Sequence, residues 1–160
     1  MGPARNVVLL GATGSIGEST LKVIGKHKDR LKLIGISAHQ QGKKLCQIAH
    51  EFGVKNVHLG CNHELRTNLP AGARFSTGPD ALNELAAFED ADLVVVAVVG
   101  AAGLAPTLAA LEAGKDVVLA NKESLVVGGE LVMETARRTG ARILPADSEH
   151  NAVFQCLQGQ

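Results

Sequence analysis

Short apolar runs alternate along the whole chain with stretches whose apolar positions recur every third or fourth residue. NVVLL at 6–10 reads as a short buried strand, and ESTLKVIGKH at 18–27, after a glycine-rich turn, as a helix. LKLIGISA at 31–38 predicts a second strand and KKLCQIAHEF at 43–52 an amphipathic helix. VKNVHLG at 54–60 predicts a third strand. Between 62 and 87 the pattern weakens: ARFS at 73–76 predicts a brief strand between helices near 64–68 and 80–87. LVVVAVV at 93–99 is the most apolar run, suited to the middle of a sheet covered on both faces. PTLAALEAG at 106–114 predicts a helix that Gly114 ends. DVVLA at 116–120 predicts a strand, GELVMETARRTG at 129–140 a helix closed by Gly140, and RILPA at 142–146 a last strand. Such alternation with short connections predicts an α/β fold, a Rossmann-like doubly wound, mostly parallel sheet with helices on both faces.

The 160 residues suit one domain, and 46% apolar content supplies its core. That core is aliphatic, since the chain has no Trp or Tyr and only 4 Phe. Sixteen basic residues balance 16 acidic ones, so the basic excess of a general nucleic-acid binder is missing. Cys46, Cys61 and Cys156 are odd in number and lack CxxC spacing. They read as reduced thiols rather than a disulfide framework or zinc site. No apolar run is long enough to span a bilayer, and MGPARNVVLLG lacks a signal-peptide core. The expectation is a soluble, cytoplasmic protein with neither nucleic-acid nor membrane partners. The closing SEHNAVFQCLQ reads as a helix that stops soon after it starts, which suggests a fragment of a longer chain.

GATGSIG places Gly11, Gly14 and Gly17 between the first strand and the first helix. One glycine makes the tight turn, one lets backbone N–H groups reach a pyrophosphate, and one lets the helix pack on the strand. The phosphates then meet the positive end of a helix, with Thr13 and Ser15 adding hydroxyl donors. The alternative is a plain turn with a packing glycine. NAD sites usually carry an acid about 20 residues onward, bonded to the ribose 2′-hydroxyl. Here no acid falls between Asp29 and Glu51, while His39, Gln41, Lys43 and Lys44 offer donors or charge. NADP(H) is therefore the expected cofactor. Each lysine also reads as part of a solvated first helical turn.

Other unusual residues follow the remaining strands, at the edge where parallel sheets bind ligands. Gly100-Ala101-Ala102-Gly103 is small enough for a cofactor to lie close. Asn121-Lys122-Glu123-Ser124 and Asp147-Ser148-Glu149-His150 supply polar groups. Asn121, Ser124, Asp147 or Ser148 also read as helix caps, Lys122 and Glu123 as a solvated ion pair, and His150 as a fold-supporting residue. On an extended segment Asp147 and Glu149 point the same way and can share one cation. Oxygen ligands favour Mg²⁺ or Mn²⁺ over zinc.

In that order, GATGSIGEST, VVGAAGLAPTLAAL, LANKESLVVGG and LPADSEHNAVFQ resemble the amino-terminal part of the 1-deoxy-D-xylulose 5-phosphate reductoisomerases. The resemblance runs over nearly the whole chain and is weakest across 40–87. It implies an enzyme that rearranges its sugar phosphate and reduces the result with NADPH to 2-C-methyl-D-erythritol 4-phosphate, on a route to isoprenoid precursors. Thr13, Gly14, Ser15, Ile16, Asn121 and Glu123 would bind NADPH. Lys122, Ser148 and Glu149 would meet the substrate, while Asp147 and Glu149 would hold the divalent metal. The family's Gly and Asn after the second strand are here His39-Gln40-Gln41, so its 2′-phosphate contacts are not carried over, and Gln41 stands on its own residue chemistry. A third metal carboxylate, the substrate-phosphate site and a closing loop would lie past residue 160. The implied division is an NADPH-binding domain at 1–146 and the start of a catalytic domain at 147–160, with the longer enzyme a homodimer. Two other readings compete: a homoserine-dehydrogenase-like NADP reductase, and a non-catalytic NADPH-binding module.

Overall fold

The computed structural model describes residues 2–61, 69–120, 122–146 and 155–156. The chain enters through strand β1 (Arg5–Leu10), turns into helix α1 (Ser15–Lys26) and returns as β2 (Leu31–Ala38). Helix α2 (Gly42–Phe52), strands β3 (Asn56–Leu59) and β4 (Arg74–Thr77) and helix α3 (Pro79–Ala86) follow. The second half runs β5 (Leu93–Val96), a 3-10 turn (Gly100–Gly103), α4 (Leu104–Glu112), β6 (Asp116–Leu119), α5 (Lys122–Thr139) and β7 (Ile143–Pro145). The strands form one sheet in the order β4-β3-β2-β1-β5-β6-β7, and all six neighbouring pairs are parallel. Every strand therefore ends on the same edge. The chain winds outward from β1 to β4, then crosses back to place β5 on the other side of β1. Loops diverge at that switch point and open a crevice. The expected doubly wound fold is what the chain adopts.

The continuous apolar runs have a packing reason. Val7, Val8, Leu9 and Leu10 are each at most 1% exposed. Val7 and Leu9 pack with Leu21, Ile24, Ile36 and Leu45 on one face. Val8 and Leu10 pack with Leu85, Val94, Leu111 and Val132 on the other. A strand covered on both faces has no solvent side to make polar, so alternation disappears.

Two elements differ from the sequence pattern. Only Leu93–Val96 of LVVVAVV pairs in the sheet; residues 97–99 leave it, and Val99 is 86% exposed. The helix expected at 129–140 is present, and a further helical stretch from Lys122 precedes it, the two running together as α5 across a kink at Gly128. Gly128 takes a non-helical φ of -133, and a Cβ there would sit 2.7 Å from Leu104 Cδ1, so any side chain would require Leu104 to move. Ser124 consequently lies buried in the first turn of α5 instead of capping it. The helix expected near 64–68 falls outside the described residues.

A carboxylate ties three strands together at the amino-terminal edge. Asp116, at the start of β6, accepts from Arg142 Nη2 at 2.6 Å, from the Arg142 backbone N–H at 3.0 Å and from Arg5 Nη2 at 2.8 Å. These bonds join β6 to β7 and β1. Chiefly through the Arg142 guanidinium, and against its own burial, the carboxyl is held down at about 2. A lowered folded pKa stabilises above the unfolded carboxylate value and loses that contribution as pH falls towards about 2. Discounted because the Arg142 side chain is 67% exposed, the contribution is about 1 kcal/mol. Asp116→Asn is expected to be less stable than the parent by about that amount near neutral pH, with the gap narrowing below about pH 4. Denaturant unfolding across pH checks this; a gap unchanged in acid contradicts it.

Candidate functional site

The turn after β1 is built by close backbone contact. Gly11 has φ +86, and its N–H donates to the Ser37 carbonyl at 3.1 Å and to Ser37 Oγ at 3.1 Å. The Ala12 N–H donates to the same carbonyl at 2.8 Å. A Cβ on Gly11 would stand 2.5 Å from the Ala97 carbonyl oxygen, so the turn rests directly on the chain leaving β5. A Cβ on Gly17 would meet the Ala12 carbonyl carbon at 2.7 Å, which is why α1 packs against the turn only with glycine there.

Gly14 differs from both. Its φ of -83 and ψ of 174 suit any residue, and the nearest atom to a Cβ there is the Gly11 carbonyl oxygen, at an ordinary 3.6 Å. The fold itself does not require this glycine. Gly14 is also the N-cap of α1 and makes no side-chain capping bond. The first-turn N–H groups of a helix lack partners within it, and a bare cap leaves room for an anion.

Beside the turn lies a cleft of about 430 Å³. Gly11, Thr13 and Gly14 form one end, Ser37, Ala38 and His39 the exit of β2, and His58 and Gly60 the exit of β3. Leu82 from α3, with Ala97, Val98, Val99 and Ala102, closes an apolar wall. A few polar groups on a mainly apolar lining is the usual make-up of a cofactor site. A larger hollow of about 830 Å³ lies at the opposite edge, by Arg5, His27, Arg30 and Leu31. The chemistry argues for the smaller one, because doubly wound sheets take ligands at the carboxyl ends of their strands.

Charge near the cleft is already committed. Lys44 Nζ donates to the Thr13 carbonyl at 2.9 Å and to the Glu18 carboxylate, staking α2 to the glycine turn. Glu18 is held below the usual carboxylate range by that hydrogen bond and by the charge of Lys44. Lys44 is thus half-buried and engaged, not part of a solvated helical turn. His39 Nε2 lies 3.4 Å from Cys61 Sγ. His58 is 1% exposed, and burial pushes its imidazole pKa down.

Of the residues singled out in the sequence, Thr13 and Gly14 line the cleft. Ser15 and Ile16 stand exposed in the first turn of α1. Gln41 is the N-cap of α2 and faces a separate shallow depression with Gln40, Lys43 and Gln47. Lys122 and Glu123 are exposed in the first turn of α5, at the carboxyl end of β6. Asn121, Asp147, Ser148, Glu149 and His150 lie outside the described residues. The chain reaches that last segment from the same edge: Ala146 N–H donates to the Leu119 carbonyl at 3.0 Å. Among the described residues no three His, Cys, Asp or Glu side chains gather to hold a metal. Nor is any helix among them long and apolar enough to cross a membrane. Sequence reading missed Ser37, His58 and Leu82. Only His58 left a signal, a polar residue between Val57 and Leu59 in an otherwise buried strand.

Residues 7–129 match the family model described as 1-deoxy-D-xylulose 5-phosphate reductoisomerase. The reductoisomerase of Clostridium acetobutylicum is 45% identical over 97% of this chain, and that of Cupriavidus necator 50% identical over 96%. The chain spans 42% and 40% of those relatives' lengths. The solved reductoisomerase of Zymomonas mobilis in complex with NADPH has a TM-score of 0.88 at 42% identity, covering 96% of this chain and 41% of that one. A reductoisomerase structure in complex with NADPH, fosmidomycin and magnesium reaches 0.90 at 43% identity, over 95% of this chain and 38% of that one. A homoserine dehydrogenase from Thiobacillus denitrificans, at 22% identity and a TM-score of 0.57, shares the fold alone. With the family model matched across most of its length and close relatives along nearly all of it, the chain belongs to the 1-deoxy-D-xylulose 5-phosphate reductoisomerase family.

Proposed function

We propose that this chain is the NADPH-binding part of an enzyme that rearranges 1-deoxy-D-xylulose 5-phosphate and reduces the product to 2-C-methyl-D-erythritol 4-phosphate. The observation that carries the cofactor half is Gly14: a glycine its own chain does not need, at an uncapped helix start beside an apolar cleft. A pyrophosphate approaching that backbone is the reason to keep it bare. Thr13, Ser15 and Ile16 then supply hydroxyl and backbone donors around the phosphates, with Asn121 and Glu123 completing the cofactor's contacts. Gln41, at the start of α2, serves the 2′-phosphate. The charge of Lys44 reaches that region already balanced by Glu18.

NADPH supplies the hydride. Residues 1–146 bind and orient it, and 147–160 begin the catalytic part. Lys122 and Ser148 hold the substrate oxygens, and fixing those oxygens lowers the entropic cost of reaching the transition state. Asp147 and Glu149 hold Mg²⁺ or Mn²⁺, which polarises a substrate carbonyl when bound. Glu149 also touches substrate. The chain alone is expected to bind cofactor without turnover, and the longer enzyme to act on a small phosphorylated sugar as a cytoplasmic homodimer.

NADPH fluorescence provides the cofactor test without Trp or Tyr background. Tighter binding of NADPH than of NADH is expected; the reverse order contradicts the reading. Gly14→Ala is expected to keep the parent's thermal midpoint and weaken NADPH about tenfold or more, by roughly 1.4 kcal/mol. Gly17→Ala, which adds an atom against the turn itself, is expected to lower the midpoint. Equal NADPH affinity in Gly14→Ala removes the supporting observation. In a reductoisomerase carrying this segment within its full length, Asp147→Ala and Glu149→Ala are each expected to abolish most metal-dependent turnover while NADPH affinity stays within about twofold. Unchanged turnover in either variant returns that segment to a capping role.

A further inference from the structure

Three polar side chains cross the sheet in one row beneath the cleft. The register aligns Ser37 on β2 with His58 on β3, and His58 with Ser76 on β4. Residues side by side in parallel strands point to the same face. Here it is the face α3 covers: a Cβ on Gly35, two residues before Ser37, would meet Leu85 of α3. Buried polar groups on a sheet face otherwise packed with Val and Leu carry a cost unless they are hydrogen-bonded.

Two members of the row are accounted for. Ser37 Oγ accepts the Gly11 N–H and so belongs to the glycine turn. Ser76 Oγ lies 3.2 Å from His58 Nδ1. His58 is 1% exposed, and among the described residues this is the only hydrogen bond of its side chain, which leaves Nε2 to be satisfied. Burial pushes the imidazole down from its ordinary pKa, so near neutral pH it presents a single donor or acceptor rather than a charge.

His58 also lines the cleft, with Leu82 and Val98 beside it. Strand β3 lies two places from β1, about 10 Å across the sheet from the glycine turn. At that distance a dinucleotide with its phosphates at Gly14 can set one ribose in between and the base beyond it over β3. The space suits a flat heteroaromatic ring with a polar edge.

Resting on the NADPH reading above, we infer that His58 is a specificity residue for the nucleobase: Nδ1–H donates to Ser76 Oγ, and Nε2 accepts from the 6-amino group of adenine. Base choice then belongs to β3 and β4, separately from phosphate recognition at the turn. The Ser76 hydroxyl can accept from a proton at Nδ1, and a ring protonated there keeps a lone pair at Nε2.

Nicotinamide hypoxanthine dinucleotide phosphate, in its reduced form, tests this, since it replaces the 6-amino donor with a carbonyl acceptor. The parent is expected to bind NADPH about fivefold tighter than this analogue, the effect of one neutral hydrogen bond. His58→Leu is expected to bring the two within about twofold, and His58→Gln, whose amide oxygen can accept, to restore part of the preference. Because each comparison is a ratio within one protein, a general loss of affinity cancels. Ser76→Ala, a smaller change at the edge of the sheet, is expected to reduce the preference as well. A parent that binds both nucleotides equally, or a preference that survives His58→Leu, overturns the inference and leaves the NADPH reading standing. A parent that binds neither overturns both.

Discussion

The fold around the cleft depends on a contact that no side chain could share. At Gly11 the backbone passes so near the Ala97 carbonyl that a methyl group would overlap it, and at Gly17 the helix repeats the approach against Ala12. With both N–H groups of Gly11 and Ala12 taken by the Ser37 carbonyl, the exits of β1, β2 and β5 are fixed to one another by backbone alone. The positive end of α1 is thereby aimed over the switch point. Lys44 adds a side-chain stake from α2 to the same turn.

Seen from that contact, the three glycines divide their work. Two are structural and would be needed whether or not a ligand ever arrived. The third, Gly14, is neither strained nor crowded, and the proposed pyrophosphate contact gives its bareness a reason. The same reasoning applies to His58, whose partner at Nδ1 is internal while the cleft stands open beside it. In both cases the protein's own packing accounts for part of the residue's chemistry, and the proposed nucleotide would use the remainder.

Much of the architecture was legible because covered parallel strands write continuous apolar runs and glycines punctuate them. Strand β2 follows its run to the residue, and Gly114 and Gly140 end their helices with φ of +70 and +74. Reading fell short where a pattern changed role along its length. The helix expected from 129 is there, but a helical stretch from Lys122 precedes it across a kink at Gly128, where a Cβ would meet the Leu104 side chain. The run at 93–99 looked uniformly buried, but its last residues leave the sheet to form the cleft wall, a change of role that apolarity cannot report. At the site, the glycine turn was plain in the sequence, because backbone geometry there restricts residue type. The polar row was not: Ser37, His58 and Ser76 are brought together only by register between strands distant along the chain.

On the proposed reading, the shared edge explains how two parts of a reductoisomerase could meet at one centre. Parallel pairing carries β6 and β7 to the same side as the glycine turn, so Lys122, Glu123 and the chain at Ala146 reach the edge where the cofactor cleft opens. The claim on which this rests is that the cleft at the switch point, and not the larger hollow at the opposite edge, takes the nucleotide. Hydrogen–deuterium exchange with and without saturating NADPH addresses it directly. The account predicts slowed exchange at residues 11–16, 37–39 and 97–102, with no change at 2–5 and 27–31. Protection confined to 2–5 and 27–31, with the glycine turn unaffected, would contradict it.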